Sequence, residues 1–568
     1  PSLNTATWNT LDVGYDRRDD GGYFEFSGGS PWYFRVDGNQ VTQSGSKIGA
    51  ASQGMSPGNG MTDIIFPTEF STRNASVEGG FSSKTMHFAV SWLTSKFEND
   101  NEVVNWYNGY FKGTDTVYLP FDNKYSRIAA NGTIRKLPLN STLAVRFTKD
   151  ELESDGFLGA TVLGANGASL TTLPNADSFD GKVENKTFTV ALASTPAKGL
   201  DTRLYYNKID RDDRSTHVTF TGTASSGTPY ENEPYSFQRD NWGVDAYYRV
   251  NRQNRVGAGY DVLDIERHRF DFDESKDKRW FVEWKTSMLE NVSARVKYQD
   301  LTRDSNFLLA NDGTGPQDVA YWNRFLQAYD AANLDQKSWK ATLDFSPAEF
   351  LDISIEGITK ENKYRDMTLG RLKDTRRELY ASLSYGNPDT ARFTVFGDVE
   401  NVKYDSRHRV VGAATQTGAY DPATPATAQN YNWEGTARDK NWAFGVAVDF
   451  PATEKLMVKA SAVYYKTDGS LDFAAPSVIA AATYPQAVAN YDDSKRTSFN
   501  LKGIYAFSKS LSITAGYAYE KYDYKDAQVD GFRYVIPGSA GADSYMMGYL
   551  ANPQYKANIL YGFVTWKF

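Results

Sequence analysis

The chain contains no cysteine, and that absence removes a set of functions at once. It can carry no disulfide, thiolate metal centre, iron–sulfur cluster or thioether-linked haem. Histidine is nearly as scarce. The four present are His87, His217, His268 and His408, none with a partner at metal-ligand spacing, so no haem relay can rest on this polypeptide alone. No apolar run approaches the roughly 18 residues of a transmembrane helix. Basic character is missing too: 62 Lys and Arg face 70 Asp and Glu, a net charge of −8 with the signs well mixed. That balance gives no nucleic-acid footprint. No signal peptide opens the chain, as in a mature or further truncated product.

Aromatic residues are abundant instead. There are 37 Tyr, 33 Phe and 12 Trp in 568 residues, 14 % of a chain that is only 40 % hydrophobic. A length of 568 would suggest three or four soluble domains at roughly 150 residues each. A polar chain crowded with Tyr and Phe points elsewhere, to strands with one wet and one greasy face. Period-2 alternation supplies them from end to end. Leu511, Ile513, Ala515, Tyr517 and Tyr519 alternate with Ser512, Thr514, Gly516, Ala518 and Glu520. Val292, Ala294, Val296 and Tyr298 alternate with Ser293, Arg295, Lys297 and Gln299, and the same pattern recurs at 142–148 and 351–356.

Within one strand this pattern fits a soluble sandwich or a membrane barrel equally well. The connections separate the two. Short ones fall near 81–84, 137–140, 195–199, 251–254, 289–292, 346–350, 386–390, 450–455 and 507–510. Long polar ones fall near 40–68, 98–123, 150–178, 212–236, 265–279, 303–334, 360–376, 406–435, 469–490 and 527–549. Strict alternation puts all short turns on one side and all long loops on the other, as in outer-membrane barrels with periplasmic turns and extracellular loops. Sandwiches mix Greek-key crossovers and follow no such rule. The last segment adds a cue, since it ends on Phe568 with Val564 and Trp566 in phase behind it. About 21 strands can be counted, or about 22 if residues 8–27 split at 19–22. The expected fold is all-β: one large antiparallel transmembrane barrel over residues 1–568, with about 22–26 strands.

Two stretches resemble a known family. Ser95-Lys96-Phe97-Glu98-Asn99-Asp100-Asn101, followed by Asn105-Trp106-Tyr107-Asn108-Gly109-Tyr110-Phe111, is similar to the S-x-F-x-N…W-x-N-x-F region of the MtrB/PioB family of decahaem-associated outer-membrane barrels. Leu119-Pro120-Phe121-Asp122-Asn123 is similar to that family's P-D-N loop, with Phe121 interrupting the Pro-Asp pair. The closing hairpin, 511–524 and 555–568, fits the family's style. The C-x-x-C near the mature N-terminus of some members is missing, which fits a start downstream of a few N-terminal strands or a smaller barrel.

The resemblance implies a porin-like sheath, not an enzyme. A periplasmic multihaem c-type cytochrome would sit inside the barrel, and an extracellular multihaem cytochrome would meet its outer loops. The haem c would belong to these partners, with this chain binding no cofactor and meeting outer-membrane lipid. The inward charges expected to touch the guest are Arg146, Arg295, Lys297, Glu356, Arg392, Asp398, Lys459 and Glu520. The alternative is a substrate-specific porin or a transport barrel like a TonB-dependent receptor.

Other motifs weigh less. Asp271-Phe272-Asp273-Glu274 and Asp523-Tyr524-Lys525-Asp526 could seat Ca²⁺ but read better as solvated loop charge, and Asp212-Asp213 is neutralised by Arg211 and Arg214. The sequons at Asn131 and Asn140 are chance composition. Ser215-Thr216-His217 has no nucleophile elbow around it. Tyr464, Tyr517, Trp566 and Phe568 are expected in the interfacial girdle.

Overall fold

Segments that alternate apolar and polar side chains for ten or more residues cannot bury a helical stripe, but they lay one clean apolar face on a pleated sheet. A computed structural model of the chain forms such a sheet. It describes residues 13–567 apart from 53–60, 109–112, 159–173, 224–228, 233, 269–272, 288, 307–329, 331, 368, 388–389, 412–426, 428–429, 481–485, 528–534, 537–543 and 546–553. Among the described residues, 21 strands have 12 residues or more. With the shorter Met61–Pro67 and Ala487–Ala489, they make a sheet of 23 strands. Pro138–Asn140, a single 3₁₀ turn, is the helical element among them.

The described chain packs as two compact units, one mainly before Val244 and one mainly from Asp245 onward. In the first, Tyr15–Phe26 pairs with Trp32–Ser52, which pairs with Phe70–Ser82. Met86–Asn99, Asn123–Leu137, Ser141–Phe157, Ser178–Ala197 and Leu200–Asp213 follow as an antiparallel meander, each strand beside its sequence neighbour. In the second, the meander runs from Glu274–Thr286 through Val292–Ser305, Leu334–Ala348, Leu351–Tyr364 and Gly370–Asn387. It continues through Ala391–Val411, Asn430–Thr453, Leu456–Ala474, Asp493–Ala506, Leu511–Lys525 and Tyr555–Trp566. No Greek-key crossover interrupts either series among the described residues.

Every expected short turn lies between neighbouring strands. The turn after Arg249 is tied by Asn251, whose Oδ1 accepts from the amides of Gln253 and Asn254 at 2.9 and 2.8 Å. Asn140, Gly199 and Asn291 take the positive φ such turns require. One open alternative is decided and one expectation is corrected. Of residues 8–27, the described part from 13 onward does not split at 19–22, because Asp19 to Gly22 stay in register with Val41 to Gly38; backbone ladder bonds are indifferent to two glycines. Several long connections are strand for much of their length. The 360–376 segment is a tight hairpin, with Leu351–Tyr364 and Gly370–Asn387 paired as far as Lys363–Lys373. Asn430–Thr453 spans 24 residues, about 80 Å at roughly 3.3 Å per residue, whereas a bilayer needs only about 9–11. Beyond the bilayer both faces are wet, so the alternation that marks a strand fades while its hydrogen bonds continue.

No conventional core forms. Only ten apolar residues are buried among those described, half of them in the long connections or at the strand end that borders one. The large apolar side chains face outward from the sheet: Leu379 is 56 % exposed, Phe444 54 %, Trp339 51 % and Leu560 84 %. Each such side chain forgoes about 1.5–3 kcal/mol if left in water. A surface like this is stable against lipid and not against water, which rules out the two-layer sandwich.

Candidate functional site

Because side chains alternate along a strand, the exposed Trp280, Val282 and Trp284 fix the opposite face of Glu274–Thr286 as Asp277, Arg279, Phe281, Glu283 and Lys285. The register carries that polar face across the sheet. Arg295 stands opposite Thr342, Thr342 opposite Glu356, Glu356 opposite Tyr380, and Tyr380 opposite Asp398. Three residues singled out from the sequence thus occupy one row, brought together from segments a hundred residues apart. Arg392 and Lys459 flank Asp449 in a second row. Lys297 lies opposite Glu283 and Lys340, and Glu520 opposite Ser498. Arg146 is separate, between Asn131 and Thr189, with Phe147 beside it on the apolar face. All eight lie on the polar face.

Most of these charges are engaged by their own chain. Lys340 Nζ is 2.6 Å from Glu356, which also accepts from Thr342 at 3.2 Å. Lys459 pairs with Asp449 at 2.6 Å. Glu520 accepts from Tyr555 at 2.5 Å and Ser498 at 3.1 Å. Arg295 donates to Glu283 from Nε at 2.9 Å and Nη2 at 2.6 Å, while the Lys297 ammonium sits 4.1 Å from the centre of the Phe281 ring. Arg146 and Arg392 have no ion pair among the described residues. Asp398 Oδ1 is shielded from solvent without a hydrogen-bond partner.

The sequence missed the most buried charges. Asp261 binds Arg279, Asp277 binds Arg303 at 2.7 Å, and Glu283, almost wholly covered, also pairs with Lys285 at 3.1 Å. The phase of Trp280, Val282 and Trp284 was the signal that could have found them. The wall is also shallow. Phe396 lies flat over Gly445 and Tyr561 over Gly516, where an added Cβ would collide with each ring. Bulky inward aromatics are thereby pressed against the sheet.

The other sequence motifs resolve plainly. Asn99 donates through its amide to Asp122 at 2.8 Å and through Nδ2 to the Pro120 carbonyl at 2.9 Å, so the two stretches that carry the family resemblance buttress each other. Ser215 Oγ accepts from the Lys182 amide and His217 pairs with Glu231 at 3.5 Å, leaving no nucleophile–base contact between them. Asp212 is held by Arg214 and Asp523 by Lys521, each at about 2.7 Å or less. Residues 271–272 of the other acidic stretch lie outside the described residues, and no cluster of three or more potential metal ligands occurs among those described. Tyr464 and Trp566 sit on the apolar face as expected of girdle residues, Tyr517 bonds Asn558 there, and Phe568 lies outside the described residues.

A family model described as outer membrane beta-barrel porin, MtrB/PioB, matches residues 2–568. The chain belongs to the MtrB/PioB family. It is 22 % identical over 539 residues to "Outer membrane protein MtrB" of Shewanella baltica (strain OS185), covering 92 % of this chain and 71 % of that one. In fold it is similar to the copper transporter OprC (TM-score 0.52, 10 % identity, 99 % of this chain and 84 % of that one). It is also similar to the FrpB iron transporter from Neisseria meningitidis (TM-score 0.51, 8 % identity, 97 % and 83 %). These likenesses establish a large antiparallel β-barrel of the bacterial outer membrane, in a porin family and not an enzyme class. In this MtrB/PioB barrel the apolar face meets lipid, the polar face is the inner one, and the short turns are periplasmic.

Proposed function

We propose that this barrel is the sheath of a transmembrane electron conduit, holding a periplasmic multihaem c-type cytochrome across the outer membrane. The observation that carries this is an inner face that is charged, shallow and largely satisfied by its own ion pairs, in a barrel of the MtrB/PioB family. Barrels beyond 16–18 strands enclose more space than their side chains can fill. Such a wall offers a soluble protein a wet, hydrogen-bonding surface without demanding that it bury unpaired charge. With no cysteine in the chain, thioether-linked haem must belong to the guest. The barrel's part is to exclude lipid, keep the haems in line and hold the guest at the right depth. The long extracellular connections would receive a second multihaem cytochrome.

The test is to purify the barrel from native membranes in mild detergent and record its visible spectrum. The expected result is a haem Soret band co-purifying at constant ratio, several haems to each barrel. A colourless barrel that conducts ions would contradict the proposal and favour a substrate-specific porin or receptor-like transporter.

A further inference from the structure

One part of the inner face gathers cations, two of them outside any ion pair among the described residues. At its short-turn end, a cavity of about 330 Å³ is lined by Arg249, Arg252, Arg255, Lys285 and Arg295, with Asp344 as the sole carboxylate in the lining. Five cations therefore line it against one carboxylate, in a chain whose net charge is −8. Glu283, behind Lys285 and Arg295, offsets one of them. Elsewhere on this face cations alternate with acids, as in Lys340–Glu356 and Lys459–Asp449.

Arg249 and Arg252 take no part in closing the turn beside them. The adjacent turn is closed by Asn251, which accepts from two backbone amides. Asp344 is occupied by Ser293 at 3.3 Å and Ser354 at 2.7 Å. Arg249 and Arg252 are exposed and have no ion pair among the described residues. Gathering like charges costs stability unless a partner of opposite sign relieves it.

We propose that this cavity is the docking point for a carboxylate-rich surface of the guest protein, engaged from the periplasmic side. The inference rests on the sheath function and adds the place, the sign and the direction of the contact. Guanidinium groups suit it because each can grip a carboxylate through two parallel hydrogen bonds. An open, charged rim also draws its partner over roughly a Debye length, about 10 Å at 0.1 M salt.

The experiment compares haem content per barrel, after washing at increasing NaCl, for the wild type, Arg249→Glu/Arg252→Glu and the turn control Lys198→Glu. Both arginines are exposed, so the double variant keeps the barrel's fold, checked by heat-modifiable migration on gels. The proposal predicts that the double variant loses haem at least tenfold more readily than wild type near 50 mM NaCl. The gap should narrow near 500 mM, with Lys198→Glu behaving as wild type. Equal haem retention by wild type and double variant at every salt concentration would overturn the docking point and leave the sheath standing. A wild-type barrel without haem would overturn the sheath, and the docking point with it.

Discussion

Glu184 shows how much the outer part of a strand depends on charge. It lies beyond the apolar side chains Phe188, Val190 and Leu192 of its strand, and Lys149 and Lys186 each stand 2.6 Å from it. Their hydrogen bonds pull its pKa down to about 2. A depressed carboxylate stabilises the fold above its unfolded value of about 4.5, and that contribution is lost as pH falls toward 2. Glu184→Gln should therefore lower the melting temperature at pH 7, with the difference vanishing near pH 2 in circular-dichroism scans. A difference independent of pH would contradict the ion-pair assignment. Glu283 is a second case. Replacing it with Leu strands Arg295 and Lys285, both part-exposed, and should cost about 1–3 kcal/mol in urea unfolding from detergent. Glu283→Gln should cost less, because its carbonyl oxygen still accepts from Arg295. Neither carboxylate stood out in the sequence, since burial beside a cation depends on register with another strand.

At the scale of the element, what could be read locally was read correctly. Strand phase follows from residues such as Trp280, Val282 and Trp284, and turn positions from Asn251 or Gly199, because each is decided by a few neighbouring side chains. Strand ends were not legible. Ala391–Val411 and Asn430–Thr453 pair from Arg392–Asp449 out to Val411–Asn430, far past the last lipid-facing pattern. There the only persistent signal is the backbone hydrogen bond, which leaves no trace in side-chain type. Hydrogen exchange should rank these segments. Amides of 392–399, inside the lipid belt, should exchange slowest, and those of 403–411 at an intermediate rate. Exchange of 403–411 as fast as an unfolded peptide would contradict the extended hairpin.

At the scale of the whole molecule, the sign of each face was legible and the use of the inner face was not. Alternation placed all eight singled-out charges on the polar side, yet Glu356 and Lys459 turn out to be held by Lys340 and Asp449. Contact with a guest depends on the charge left over, which appears only once the strands are in register. The proposed sheath would have to pass electrons while the guest in its lumen blocks ions. Liposomes carrying the purified complex, with a dithionite-reducible dye sealed inside, test both properties together. Reduction of the enclosed dye by external dithionite, with little ion leak, is expected for the complex, while the haem-stripped barrel should leak ions. Dye that stays oxidised behind a haem-loaded barrel would contradict the conduit.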